Sequence, residues 1–262
     1  MFRVNMNNQQ IKKNPWKAQV AKWKNVNMSA NCKWILEGDK DFVDAMQNSI
    51  SKSKESKDWK DNNCLHLELF PEPFLGHPDA PIYLLGGNPG YSDNDLECLM
   101  TTKGYLDILK KSIVHKYKTN TSFGFFDKRI AKSEAAKWWN KHVDEEIRDK
   151  IFNIEFFAYH SKKADGLKKY FDTIDSKNPQ PTCASNEYAD SLIYKAMREE
   201  KILIITRFKK YWFKRIQGLE GYRKLYVLLN HQSALVKPGN LVAYQELEKL
   251  KEASWDELLS DV

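Results

Sequence analysis

Two polar segments of this sequence combine residue types that often bind or polarise a ligand. The first is Gly86-Gly87-Asn88-Pro89-Gly90, and the second is Asn230-His231-Gln232-Ser233. The first offers an amide between glycines, which allow tight turns and close backbone approach. The second places an imidazole beside amide and hydroxyl groups. Both segments follow short apolar runs, so their chemistry depends on where those runs lie in the fold.

Each segment also has simpler interpretations. Asn88 could serve only the backbone of a plain turn, because turns are enriched in Gly, Asn and Pro. A phosphate-binding loop is a further alternative, but the segment lacks the Walker-A lysine and the G-x-G-x-x-G spacing. His231 could be a hydrogen-bonded structural histidine. Ser92, Asp93 or Asn94 could cap a following helix.

Four short apolar runs predict the strands of a parallel sheet, because each is rich in β-branched or aromatic residues. Between the runs lie helical stretches, and a last helix is predicted over 244–259. The runs are Ile82–Leu85, Ile151–Tyr159, Ile202–Thr206 and Leu225–Leu229, and the helical stretches are Leu96–Lys111, Ser133–Lys150, Glu187–Glu200 and Lys209–Gln217. This alternation predicts a three-layer α/β/α fold with a central four-stranded parallel sheet. Ligands of such folds bind beyond the carboxyl ends of the strands, where Asn88 and His231 would meet.

The first motif resembles that of the uracil-DNA glycosylase superfamily, in the form found in mismatch-specific uracil and thymine glycosylases. His231-Gln232-Ser233 resembles the second motif of that superfamily, usually His-Pro-Ser or Asn-Pro-Ser, with Gln232 in place of proline. The resemblance covers residues 65 to 245. It implies a DNA glycosylase that flips a base out of DNA and hydrolyses its N-glycosidic bond.

The resemblance also implies roles for individual residues. Asn88 would hold the attacking water, and His231 would stabilise the leaving base. The base-binding residues would be Gly87, Gly90, Tyr91, Phe157, Tyr159 and Asn230, and the DNA-binding residues would be Ser92, Arg207, Ser233 and Lys237. For Phe157 and Tyr159, ordinary core packing is the alternative.

Gly90 departs from the strict uracil enzymes of the superfamily, in which a tyrosine blocks substituents at pyrimidine C5. The resemblance therefore implies a pocket open to thymine or to a larger C5-modified cytosine. Bacterial members that attack modified phage bases suggest a role in anti-phage defence.

Composition sets the remaining expectations. Lys and Arg number 42 against 35 Asp and Glu, a net charge of +7 that favours a polyanionic partner such as DNA. No apolar run approaches the length of a membrane span, and no signal segment is present, so a cytoplasmic protein is expected. The protein is also expected to be a monomer. The four scattered cysteines have no C-x-x-C spacing, and no metal or cofactor is predicted. Residues 1–60 are expected to form an N-terminal helical extension to an α/β domain over 61–262, with Trp16, Trp23 and Trp34 as packing anchors.

Two other classes of function stay open. A catalytically inactive DNA-binding protein could keep the fold and the basic surface without releasing a base. A small-molecule hydrolase could use the same strand ends and would act on free nucleosides.

Overall fold

The computed structural model of the chain describes residues 10–23, 32–118, 124–126, 130–174, 183–229, 235–246, 248–250 and 253–260. These residues form a mixed α/β fold around one seven-stranded sheet, in the order β1-β3-β2-β4-β5-β6-β7. The strands are β1 (Phe74–Gly76), β2 (Ile82–Leu85), β3 (Ile151–Ile154), β4 (Ile202–Ile205), β5 (Leu225–Leu228), β6 (Leu241–Ala243) and β7 (Glu248–Lys249).

The centre of the sheet consists of the four strands that the sequence predicted. β3, β2, β4 and β5 are neighbours and run parallel, with Ile82 opposite both Ile151 and Ile202. The prediction of a purely parallel four-stranded sheet is incomplete, because antiparallel strands extend both edges. β1 pairs with β3, and β6 pairs with β5. Each of these edge strands has three residues, too few to show a periodicity in the sequence.

The helices surround this sheet. They are α1 (Trp16–Lys22), α2 (Lys40–Ser51), α3 (Lys57–Asn63), α4 (Asp93–Thr101), α5 (Tyr105–Ile113), α6 (Glu134–His142), α7 (Asp165–Thr173), α8 (Ala184–Arg198), α9 (Lys209–Arg215) and α10 (Trp255–Ser260). Short 3-10 turns cover Glu37–Asp39, Gly124–Phe126, Glu145–Ile147, Leu219–Gly221 and Pro238–Asn240. In the described part of the chain, no helix has the length and apolar character needed to cross a bilayer.

Four predicted boundaries are wrong for identifiable reasons. The helix predicted over Ser133–Lys150 ends at His142, because Val143 is extended and forms an isolated β-bridge with Val236. The single helix predicted over Leu96–Lys111 is split at Gly104, whose φ of 85° is left-handed and ends the helical path before α5. The strand predicted to reach Tyr159 ends at Ile154, because the next aromatic residues are buried in a loop rather than in the sheet. The helix predicted from Tyr244 begins only at Trp255, since β6 and β7 occupy the preceding chain.

The aromatic residues of the N-terminal segment pack into the same core as the sheet. Trp23 contacts Trp34 and Phe70 edge-on, with ring centroids 5.3 Å and 5.4 Å away. Trp16 and Trp34 are at most 1% exposed, which confirms that large aromatic anchors attach this segment. The hydrophobic cluster they belong to also contains the four central strands.

Asp39 connects the N-terminal segment to two other parts of the chain. This carboxylate is fully buried, and its oxygens accept hydrogen bonds from the Ser185 backbone N–H and the Tyr159 hydroxyl, both at 2.9 Å. Burial raises the pKa of Asp39, and these hydrogen bonds oppose that shift. The side chain therefore joins the start of α8 to the loop that follows β3.

We expect Asp39→Ala to lower the free energy of unfolding by about 3 kcal/mol, because two buried donors would lose their acceptor. Urea denaturation followed by circular dichroism measures this change. Asp41→Ala, an exposed site at the start of α2, is the matched control and should cost less than about 1 kcal/mol. Equal losses in the two variants would show that Asp39 is not a structural link.

Candidate functional site

The carboxyl ends of the central strands border a cavity of about 430 Å³. The chain after β2 supplies residues 86–92 of its wall, the chain after β3 supplies Glu155 and His160, and the chain after β4 supplies Thr206 and Arg207. Helices α4, α5 and α6 close the opposite side. A concave site at this edge of a parallel sheet is where α/β folds bind their ligands.

The loops after β2 and β3 stay paired beyond the ends of the two strands. Gly86 N–H donates to the Ile154 carbonyl at 2.8 Å, Phe157 N–H donates to the Gly87 carbonyl at 3.0 Å, and Ser161 N–H donates to the Pro89 carbonyl at 3.3 Å. The Glu155 side chain packs against the first loop so closely that a Cβ atom on Gly86 would lie 2.3 Å from its Oε2. A larger residue at position 86 would therefore force the Glu155 carboxyl group to move.

Asn88 is buried in the cavity wall, and its amide has a fixed orientation. Its Nδ2 donates to the Pro89 carbonyl and to Ser161 Oγ, both at 2.9 Å. The Ser161 hydroxyl donates onward to the Lys163 carbonyl at 2.8 Å, so Ser161 Oγ must accept from Asn88. Both amide hydrogens are thereby used, and Oδ1 is the atom of this side chain that can accept a hydrogen bond from a ligand or water.

Gly90 lies at the exposed end of the same loop. A Cβ atom built on it meets no other atom within 4 Å, and its backbone is outside the left-handed region. Neither space nor conformation requires glycine there. The side chain of Tyr91 is not free to move into this space, because its ring stacks on His66 and its hydroxyl donates to Asp93 at 2.8 Å.

Ser92 begins α4, one of the capping alternatives raised by the sequence. Its Oγ accepts from the Asp95 N–H at 3.1 Å and donates to Asp95 Oδ2 at 2.8 Å. The other oxygen of Asp95 accepts from the backbone N–H groups of Glu134 and Ala135, at 2.8 Å and 3.3 Å. Through these hydrogen bonds, Ser92 and Asp95 link the start of α4 to the start of α6, which forms the far wall of the cavity.

Phe157 and Tyr159, predicted as base-binding residues, are at most 1% exposed and do not line the cavity. Phe157 packs against Phe42 of α2, and the Tyr159 hydroxyl bonds to Asp39. Core packing, the alternative that the sequence left open, describes both residues. They miss the cavity because the chain leaves the sheet at Glu155 and turns these side chains toward the N-terminal helices.

Like Tyr91, Trp138 of α6 is a half-buried aromatic residue that borders the cavity. It stacks on His142 with ring centroids 4.7 Å apart, and the Arg207 guanidinium lies 5.8 Å from its ring. His142 Nδ1 faces the Trp138 carbonyl at 2.8 Å. Sequence reasoning missed this group, and the adjacent Trp138-Trp139 pair in a polar helix was the signal available.

His160 and two carboxyl groups, Glu72 and Glu155, were also missed. His160 Nδ1 lies 2.6 Å from the Gly90 carbonyl oxygen, and Nε2 lies 2.9 Å from that of Phe70. Burial lowers the pKa of His160, against the effect of these two carbonyls. Burial also raises the pKa of Glu155, although the Asn153 amide, which donates to Oε1 at 2.9 Å, and nearby Arg207 oppose the shift.

Glu72 has the more strongly shifted carboxyl group of the two. Burial raises its pKa well above the ordinary value, and the negative charges of Asp95 and Glu155 add to this effect. A carboxyl group in such surroundings is protonated at a pH where an exposed one is ionised. Within the described residues, no group of three or more His, Cys, Asp or Glu side chains is arranged to hold a metal ion.

The second motif, with Asn230, His231 and Ser233, lies outside the described residues, but both of its flanks are described. β5 ends at Leu228, on the sheet edge that bears the cavity, and Val236 lines the cavity. Val236 N–H donates to the His142 carbonyl at 2.8 Å. Lys237, predicted to contact DNA, is exposed and does not line the cavity.

Comparison with protein-family models, with curated proteins and with solved structures gives no significant match to this chain. The likeness to uracil-DNA glycosylases therefore depends on the residues of the two motifs. The geometry around Asn88 and Gly90 is independent of that likeness.

Proposed function

We propose that this protein is a DNA glycosylase, which extrudes a uracil-like or C5-modified pyrimidine from DNA and hydrolyses its N-glycosidic bond. The observation that carries the proposal is the orientation of Asn88. Its two amide hydrogens are committed to Pro89 and Ser161, and Oδ1 is left as a hydrogen-bond acceptor in the wall of a cavity large enough for a base. An amide oxygen held in this way accepts a hydrogen bond from a water molecule and orients it, but does not remove its proton.

In the proposed reaction, the water held by Asn88 Oδ1 attacks C1′ of the deoxyribose. The C1′–N1 bond breaks, its electron pair leaves with the base, and the proton released from the water ends on the base or solvent. The products are an abasic site and a free pyrimidine. By resemblance, His231 would stabilise the negative charge that builds on the leaving base.

The rim of the cavity carries positive charge suited to a phosphate backbone. Lys137 and Lys141 of α6 are exposed on the cavity wall, and Arg207 is half-buried there. Trp138, which stacks on His142 and lies beneath the Arg207 guanidinium, adds an aromatic side chain to this wall. The proposal also includes DNA as the partner, a monomeric protein that acts in the cytoplasm, and a role in defence against phage DNA with modified bases.

Oligonucleotides containing uracil, thymine mismatches and C5-modified cytosines test the reaction directly. Base release should make alkali-labile breaks at the modified position. DNA binding without breaks would favour the catalytically inactive DNA-binding protein. Activity on free nucleosides that exceeds activity on DNA would favour the small-molecule hydrolase.

We expect Asn88→Ala to lower the single-turnover rate of base release by about 100-fold, because the water would lose its positioning acceptor. DNA affinity should change little, since Asn88 is buried within the wall. Asn48→Ala, at an exposed position of α2, is the control and should keep the normal rate. A near-normal rate in Asn88→Ala would remove Asn88 from the mechanism.

The open space at Gly90 predicts that at least one C5-substituted pyrimidine is released as fast as uracil or faster. Gly90→Tyr should suppress that release selectively and spare uracil, because the ring would occupy the space and reject the substituent by steric clash. Release rates for matched uracil and C5-substituted oligonucleotides provide the measurement. If the wild-type protein releases uracil alone, the open-pocket hypothesis is wrong.

Binding to nonspecific DNA should weaken by at least about tenfold between roughly 50 and 200 mM salt, because counterions return to the phosphates. Lys141→Ala should weaken binding and reduce the slope of log affinity against log salt by about one. Fluorescence anisotropy measures both effects, with Lys54→Ala, exposed in the segment between α2 and α3, as the control. Affinity independent of salt would contradict a DNA substrate.

A further inference from the structure

We propose that Glu72 makes the enzyme selective for pyrimidines that carry an amine on their C5 substituent. This inference rests on the proposed function and names the substrate class of the same site. It follows from an unpartnered buried carboxyl group, from its place next to Gly90, and from the distribution of charge in the cavity wall.

Glu72 has no hydrogen-bonding partner for its carboxyl group in the described part of the chain. The side chain lines the cavity, and the residue is only 9% exposed. Its Oε1 lies 3.8 Å from His160 Nε2, which is too far for a hydrogen bond. That nitrogen instead faces the Phe70 carbonyl at 2.9 Å. A buried carboxyl group without a partner is costly, so a ligand that supplies one gains affinity.

The imidazole ring of His160 lies between the Glu72 carboxyl group and the Gly90 carbonyl. His160 contacts the Gly90 carbonyl through Nδ1 at 2.6 Å and approaches Glu72 through Nε2. Gly90 in turn has open space where a side chain would begin. Gly90 and Glu72 line the same cavity. If Gly90 faces pyrimidine C5, as the first motif implies, a C5 substituent that extends along this wall can reach Glu72.

The charge of the wall favours a cationic substituent over a neutral one. The buried acidic residues Glu72 and Asp95 and the half-buried Glu155 lie on the inner wall, whereas Lys137 and Lys141 are exposed on the rim. Asp95 is engaged by Ser92 and by the start of α6, and Glu155 accepts from Asn153. Glu72 is left to accept from an ammonium group, and its ionised form would then be compensated in a low-dielectric site.

Matched oligonucleotides carrying 5-aminoallyl-uracil, the same base after N-acetylation, or unmodified uracil test the inference. Acetylation removes the positive charge and retains the rest of the substituent. The wild-type protein should release the aminoallyl base about tenfold faster than the acetylated base. A parallel binding measurement uses the aminoallyl and acetylated bases on noncleavable 2′-fluoroarabino nucleotides, and the same preference should be seen there.

Glu72→Gln keeps the size of the side chain and removes its capacity for negative charge. We expect the preference for the amine to fall to within about threefold in this variant, while its melting temperature stays near normal. Glu145→Gln, with a side chain that is 85% exposed, should keep the full preference. If Glu72→Gln is unstable, Glu72→Asp should retain the charge and part of the preference.

Two outcomes separate this inference from the proposed function. Release of uracil with no preference for the amine, or a preference that survives Glu72→Gln, overturns the role of Glu72 and leaves the glycosylase proposal intact. Failure to release any base from any of these oligonucleotides overturns the proposed function and this inference with it.

Discussion

The pairing of the two loops after β2 and β3 is the interaction on which the cavity depends. Parallel strands normally separate where they end. Here backbone hydrogen bonds continue between the two loops, from Gly86 to Pro89 in the loop after β2 and from Ile154 to Ser161 in the loop after β3. This continuation brings Asn88 to Ser161 and the Gly90 carbonyl to His160. It also explains Gly86, since a larger residue would displace the Glu155 carboxyl group from between the loops.

The N-terminal helices support the second of these loops from the core. Phe157 packs on Phe42 of α2, Tyr159 lies 6.5 Å from Trp16 between ring centroids, and the Tyr159 hydroxyl bonds to Asp39. Two aromatic residues of the loop thus face the helices, while Glu155 and His160 line the cavity. Packing on one side of the loop therefore fixes the polar groups on the other.

Charge is divided between the inside and the rim of the cavity. The interior holds carboxyl groups whose pKa values burial raises, at Glu72 and Glu155, and the rim holds exposed lysines. Arg207 lies near Glu155, whereas no cation of the described residues lowers the pKa of Glu72. A buried carboxyl group without a neighbouring cation destabilises a fold, so Glu72 in a cavity wall is typical of sites that bind ligands. A phosphate backbone at the rim and a hydrogen-bond donor inside would match this arrangement.

The sequence by itself determined the four central strands, the edge at which polar residues gather, and the position of Asn88 and Gly90 at that edge. These follow from local signals, because short apolar runs and Gly-Asn-Pro turns are visible in a few consecutive residues. Only the tertiary structure decided which side chains face the cavity. Phe157 and Tyr159 turned into the core, whereas Glu72, Trp138 and His160 came to the wall from distant parts of the chain. The physical reason is that a loop side chain faces whichever neighbour packs against it, and no local pattern records that neighbour.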